Sequence, residues 1–338
     1  MTSLRITVLL LLVAAGCQTR SAKYCAENPN DPACGGMGSG TDSGGDDCSP
    51  ACQSSQICDL PNNKCVACIT NADCHAGDKP VCIDADGKGV DACHACRDGA
   101  DCPDSDACLP NGSCAAPTDV AYVATTNAAD TNDCSKATPC ATVNHAMTVK
   151  TTVVIEGQIN EKIVVNQPLL TLIGGANAVL TRTTTSEAPI NVAGPSTNLT
   201  LYNLFIGGSS ATTPVAGFCV DQADGTVTLD HVEIAFCTAG GVNVTKGSFI
   251  SSRSSIHDNT TGAIAMAANT TRFDITNTFV FGNGSLAYAG GAVSLFGMTS
   301  QTNRFEFNTV AFNVNGIQFQ ALSVSQSLNY SGKQKNLI

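Results

Sequence analysis

From residue 199 onward the chain repeats itself, and a chain that repeats on a short period has few folds open to it. The repeated strand unit is apolar-x-apolar-x-polar-small-x-apolar. It reads Leu199-Thr-Leu201-Tyr-Asn203-Leu204-Phe-Ile206 and returns in copies opening on Val227, Phe249, Phe273 and Phe305. Between copies lies a second strand that opens on glycine, at Gly217, Gly241, Gly262, Gly291 and Gly316. The copies start 28, 22, 24 and 32 residues apart, and the glycines 24, 21, 29 and 25. A period of this size with alternating inward side chains describes a solenoid, in which each turn buries its inner face only by stacking on the next. An antiparallel sandwich also uses short strands and frequent turns. Glycine recurring at one column, and Asn259, Asn283 and Asn315 sharing another, favour stacked turns, where equivalent residues form ladders. Residues 151–198 carry apolar runs for about two more turns. Trp is absent and aromatics are 5%, which suits a repetitive core of small and β-branched side chains. Cys219 and Cys237, about one turn apart, are placed to staple neighbouring rungs.

The segment before the repeat reads Asp133-Cys134-Ser-Lys-Ala-Thr-Pro139-Cys140-Ala-Thr-Val-Asn-His145-Ala-Met147. Cys134 and Cys140 are placed to close a small loop, and residues 141–149 to form a short helix with Val143, Ala146 and Met147 on one face. Gly157, Ile159, Glu161, Ile163, Leu172 and Gly174 resemble the opening rungs of pectin-lyase-like right-handed parallel β-helices. The Pro139-Cys-Ala-Thr-Val block with Ala146 resembles the lead-in to those rungs. The resemblance implies an all-β, right-handed parallel β-helix over residues 115–338, with a short helix capping its open end. At the other end Gly316-Ile-Gln-Phe runs on to Ile338 with no amphipathic cap. Solenoids need such a cap, so another chain or further sequence is expected there.

Residues 48–114 hold Cys48, Cys52, Cys58, Cys65, Cys68, Cys74, Cys82, Cys93, Cys96, Cys102, Cys108 and Cys114, with few apolar side chains between them. Such a stretch needs covalent staples in place of a core. Cys65-Val-Ala-Cys68-Ile-Thr-Asn-Ala-Asp-Cys74 returns as Cys93-His-Ala-Cys96-Arg-Asp-Gly-Ala-Asp-Cys102, so two tandem modules are expected, continued by Cys82 and Cys93 in one and Cys108 and Cys114 in the other. Their pairing does not follow from sequence. Zinc would suit the two Cys-x2-Cys pairs, with His75 and His94 beside cysteines. That reading leaves eight cysteines unexplained, and disulfides are preferred. The Asp84-Ala-Asp86-Gly87-Lys-Gly-Val-Asp91 run lacks the third alternating ligand and closing Glu of a calcium loop and reads as a turn. No metal and no cofactor is expected.

The first seventeen residues combine Arg5, the apolar run 6–12 and Val13-Ala-Ala-Gly-Cys17. This is an export signal, too short to span a bilayer as a helix. Small residues followed at once by cysteine resemble the lipobox of bacterial lipoproteins. The resemblance implies removal of residues 1–16 and a diacylated Cys17 as the new N-terminus, anchoring the protein in the bacterial cell envelope, at the outer membrane or cell surface. Of 19 cysteines, 18 then remain, an even set that reads as disulfides outside the cytosol. Residues 17–47 are Gly-, Ser- and Asp-rich and form a flexible tether, within which Cys25 and Cys34 are placed to close a loop. The charge of −11 with no Lys/Arg-rich run excludes an electrostatic nucleic-acid footprint.

The β-helix group contains polysaccharide lyases and hydrolases beside binding and structural proteins, and fold does not choose between them. Candidate acids are Asp221, Asp224 and Asp230 near one turn, with Arg253 in the next rung and His257-Asp258 after it. None lies in an Asn-Thr-Asp, Gly-His-Gly or Arg-Ile-Lys block of the kind that marks galacturonases of the group. Asn277-Thr278 is followed by Phe279, so the match fails at the acid. The three acids read as solvated turn decoration with no Lys or Arg in their turn, and His231 as an outward member of a polar strand column with Asn203, Arg253 and Asn277. The leading expectation is a non-enzymatic, lipid-anchored surface protein whose β-helix binds polysaccharide or a surface protein. A polysaccharide lyase or hydrolase is the alternative, and a scaffold docking a partner at its open end is a third.

Overall fold

The computed structural model describes residues 52–319, apart from 54–55, 60–63, 75–76, 84–91, 184–185, 286–291, 296–302 and 315–316. Cys17, Cys25, Cys34, Cys48, His75, the Asp84–Asp91 run, Gly291, Asn315 and Gly316 lie outside these residues. The chain from Val120 winds into a parallel β-solenoid with three faces. Face I stacks Val120–Val123, Thr152–Ile155, Leu170–Gly174, Asn198–Tyr202, Thr226–Asp230, the second halves of Gly240–Ser252 and Ile264–Thr276, and Arg304–Glu306. Face II stacks Gln158–Asn160, Val179–Thr181, Phe205–Gly207, Glu233–Ala235, Ser255–His257, Phe279–Phe281 and Thr309–Ala311. Face III stacks Ile163–Val165, Ile190–Val192, Phe218–Gln222, the first halves of Gly240–Ser252 and Ile264–Thr276, Val293–Leu295 and Ile317–Phe319. Residues 152–165 and 170–192 supply the two turns expected before residue 199.

Alternation accounts for the core. The middle residues of face II, Ile159, Leu180, Ile206, Ile234, Ile256 and Val280, are buried and each pairs with the next. Burying such a side chain is worth about 1.5–3 kcal/mol, and a strand spacing of about 4.8 Å brings every layer into contact with its neighbours.

The repeat departs from its sequence pattern at four points. The strand unit is two strands meeting at a corner, and its polar column is the corner: Asn203, His231, Arg253 and Asn277 all adopt left-handed backbone, φ 48–54°. Asn tolerates that region better than most residues. The last copy is displaced by two residues, since Ile275 pairs with Phe305 and Val280 with Val310, so Phe307 takes the corner at φ 58°. The glycines do not share a column either. Val220, Val242 and Ile264 align, which places Gly217, Gly241 and Gly262 at three different distances from them.

The asparagine ladder is real, but its third rung is Asn313. Asn259 Nδ2 donates to Asn283 Oδ1 at 2.9 Å and Asn283 Nδ2 to Asn313 Oδ1 at 3.0 Å. Each Oδ1 also accepts a backbone N–H from the turn before: Cys237 on Asn259, Asn259 on Asn283, Asn283 on Asn313. A glycine pair governs the corner between faces III and I. Gly225 (φ 85°) and Gly247 (φ 89°) stack, and a Cβ on Gly247 would fall on the Gly225 carbonyl oxygen.

The helix α1 (Val143–Val149) covers the N-terminal end, burying Val143 and Ala146. Its first turn is capped by Thr142 Oγ1, which accepts from His145 N at 3.1 Å, and by Glu161, which accepts from Val143 N and from Asn144 Nδ2. Burial raises the Glu161 carboxyl above its ordinary value, against the lowering effect of those hydrogen bonds. Cys134–Cys140 closes the loop before the helix, and Cys219–Cys237 ties neighbouring turns.

Every described cysteine is disulfide-bonded. The bridges are Cys52–Cys65, Cys68–Cys82, Cys74–Cys93, Cys96–Cys108 and Cys102–Cys114, and Cys58 is bonded as well. Each Cys-x2-Cys pair is therefore split between two bridges. The modules are not cut as the sequence repeat suggests: Cys68, Cys74, Cys82 and Cys93 form one closed set and Cys96, Cys102, Cys108 and Cys114 another, each paired first-to-third and second-to-fourth. In each set the third and fourth cysteines face each other across a hairpin, Cys82 opposite Cys93 and Cys108 opposite Cys114. Cys58 faces Cys65 in the same way.

The last of these modules rests on face I. Ala107, Ala115 and Leu109 pack with outward-facing Tyr122, Val154, Ile173 and Tyr202. Tyr122 Oη donates to the Ser105 carbonyl at 2.7 Å and Tyr202 Oη to that of Arg97 at 3.2 Å. Burial, with Asp106 and Glu156 nearby, pushes the Tyr122 hydroxyl up to about 12. Beyond the module the same outward column turns polar, to Asp230, Ser252, Thr276 and Glu306.

Candidate functional site

The three candidate acids do not meet. Asp221 lies on face III, Asp224 in the following turn, and Asp230 at the far end of Thr226–Asp230, roughly 15 Å of strand away. Each is held by the next turn instead. Asn243 Nδ2 donates to Asp221 at 2.8 Å, and Lys246 Nζ reaches Asp224 at 2.7 Å. No Lys or Arg stands in that turn itself, but the expectation of merely solvated acids is corrected: a cation comes from one turn on, in the equivalent corner. Lys246, with the Gly225 N–H, holds the Asp224 carboxyl below its ordinary value.

Asp230 is the buried member, its side chain 7% exposed. Arg253 grips it with two bonds, Nε at 2.8 Å and Nη2 at 2.5 Å, while Ser252 Oγ and His231 Nδ1 approach at 3.2 and 3.1 Å. Asp274, which sequence reasoning missed, repeats the arrangement with Arg304 at 3.0 and 2.9 Å and Arg272 at 2.9 Å. These are bidentate ties between turns. Their acceptor oxygens are engaged, so they hold layers in register.

Face II carries a different cluster. His257 lies between two carboxylates, Nδ1 2.8 Å from Asp258 and Nε2 3.0 Å from Glu233. Its ring stacks on Phe281 at 4.5 Å and 7°, and the edge of Phe236 meets it at 6.2 Å and 80°. Around this stack the surface is unusually aromatic: Phe279 is 55% exposed, Phe307 75% and Phe312 93%. Phe307 and Phe312 hold the two corners flanking Thr309–Ala311, both with positive φ. Sequence did not single these rings out, because Phe249 and Phe273 in similar copies are buried and only the corner register tells the two kinds apart.

An open cleft of about 630 Å³ lies where the last module meets the end of α1, lined by Leu109, Ala115, Met147, Val149 and others, with Asp119 and Lys150 as its ionisable side chains. Thr148, Thr151 and Thr152 complete the polar part of its lining.

No protein-family model, curated protein or solved structure matches the chain. The fold and the chemistry of its surfaces therefore carry the functional reading. Among the described residues no helix is long and apolar enough to cross a membrane.

Proposed function

We propose that the protein is exported, anchored through a diacylated Cys17 in a bacterial envelope, and presents its solenoid for binding at the cell surface. The observation that carries this reading is the oxidation of every described cysteine, because such dense bridging persists outside the cytosol. The lipobox-like Val13-Ala-Ala-Gly-Cys17 supplies the anchor, and two acyl chains suffice for stable attachment where one is marginal. The resemblance to pectin-lyase-like proteins is compatible with binding or turnover of polysaccharide. Binding is favoured because Asp221, Asp224 and Asp230 are engaged in ties between turns and are not set as a facing acid/base pair. Metabolic labelling with a fatty-acid probe is expected to tag the wild type, and Cys17→Ser to lose both tag and membrane association. Firm membrane attachment of Cys17→Ser after a salt wash would refute the anchor.

A further inference from the structure

Within that reading of a surface-displayed binding protein, we propose that face II between Ser255–His257 and Thr309–Ala311 binds a neutral glycan, with a pyranose ring stacked on the open face of Phe281. The His257–Phe281 stack fixes the geometry. His257 covers one face of the Phe281 ring. The next position in the column is Ala311, paired directly with Phe281, and a methyl group is too short to cover the other face. The stack is therefore left open at its next layer, one strand spacing of about 4.8 Å further along the axis. Phe312 stands exposed at the corner beside that gap. A ring with an apolar face fills such a place by dispersion and desolvation.

The charges on this surface select among ring-bearing ligands. They close on one another: His257 on Glu233 and Asp258, Arg253 on Asp230. Two carboxylates face one imidazole, so the cluster keeps a net negative charge, and with the chain as a whole at −11 it repels polyuronates. Glu233 and Asp258 are about half exposed, and each carboxylate keeps lone pairs free to accept from sugar hydroxyls. Aromatic faces beside half-exposed hydrogen-bond acceptors, on a surface that repels anions, describe an uncharged, hydroxyl-rich ring. An acyl-chain surface would use the rings and leave the acceptors without donors.

The test uses the exported, disulfide-bonded full chain, titrated calorimetrically with hexasaccharides of β-1,4-linked glucose, β-1,4-linked N-acetylglucosamine and α-1,4-linked galacturonate. Saturable binding of at least one neutral probe is expected, and none of galacturonate. Phe281→Ala is expected to weaken it tenfold or more. Ala311→Phe, which fills the open layer with the protein's own ring and leaves the fold intact, is expected to do the same. Thr228→Ala, outward on face I, should bind as the wild type does. The proposal is overturned if neither neutral probe binds, if galacturonate binds in their place, if binding survives both variants, or if the rings serve instead to bind phosphatidylcholine vesicles. Any of those results leaves the anchor reading standing, since that rests on Cys17 and the disulfides.

Discussion

Asp133 is a side chain whose chemistry is set by its neighbours. Thr138 Oγ1 donates to it at 2.5 Å and Ser135 N at 3.0 Å, and these bonds lower its carboxyl to about 2 from an ordinary 3.8. A depressed value means that its stabilising contribution is complete above the unfolded value and is lost as pH falls from about 4 toward 2. Carbon-detected NMR should place the Asp133 midpoint near 2 in the wild type and closer to 3.8 in Thr138→Val. The Asp230–Arg253 tie makes a second case. Arg253 is half exposed and rehydrates when left alone, whereas Asp230 is buried. Arg253→Ala should thus cost about 1–3 kcal/mol, the penalty for an unsatisfied buried group. Adding Asp230→Asn to it should recover much of the loss in denaturant unfolding.

At the scale of elements, the ladders decide stability beyond the apolar layers. Asn283 accepts from Asn259 through both backbone and side chain and donates to the Ile256 carbonyl and to Asn313. Asn283→Leu keeps the number of side-chain heavy atoms but strands the buried Asn259 N–H and crowds a fully buried site, and should cost roughly 3 kcal/mol or more. A loss within 0.5 kcal/mol would show the ladder to be incidental. The disulfide modules allow a similar extrapolation. Cys52–Cys65 and the Cys58–Cys65 facing pair match the second half of the first-to-third, second-to-fourth pattern, which predicts a Cys48–Cys58 bridge. Non-reducing peptide mapping should recover that linked pair, and a Cys58 linked elsewhere would break the pattern.

The same elements show how far sequence reaches. The solenoid was legible because inward side chains must be apolar on alternate positions, and turns at Val227, Phe249 and Phe273 obey this visibly. Corners were not. A left-handed Asn203 or Arg253 looks like a polar strand residue, since sterics act on φ and leave residue type only weakly constrained. Phe307 occupies the corner of the last turn in place of a polar residue, so the sequence pattern aligns that turn two residues out of register and hides the exposed rings. Ion pairs between turns were hidden for another reason: Lys246 is no neighbour of Asp224 until the coil brings it back one turn later.

The whole molecule is a solenoid on a covalently stapled base. Face I is apolar outward where the last module covers it and polar beyond it, so the module is part of the folded body and not a loose stalk. Among the described residues, face II, on the other side of the Asn203–Phe307 corner column, carries its aromatic end outward. Display outside the cytosol unites these features, and one measurement addresses it most directly: intact mass spectrometry of the protein from native membranes, alkylated without reduction. The account predicts a chain that begins at a diacylated Cys17 and takes up no alkylating agent. A chain retaining residues 1–16 without lipid, or one that gains alkyl groups on the cysteines of residues 48–114, would contradict it.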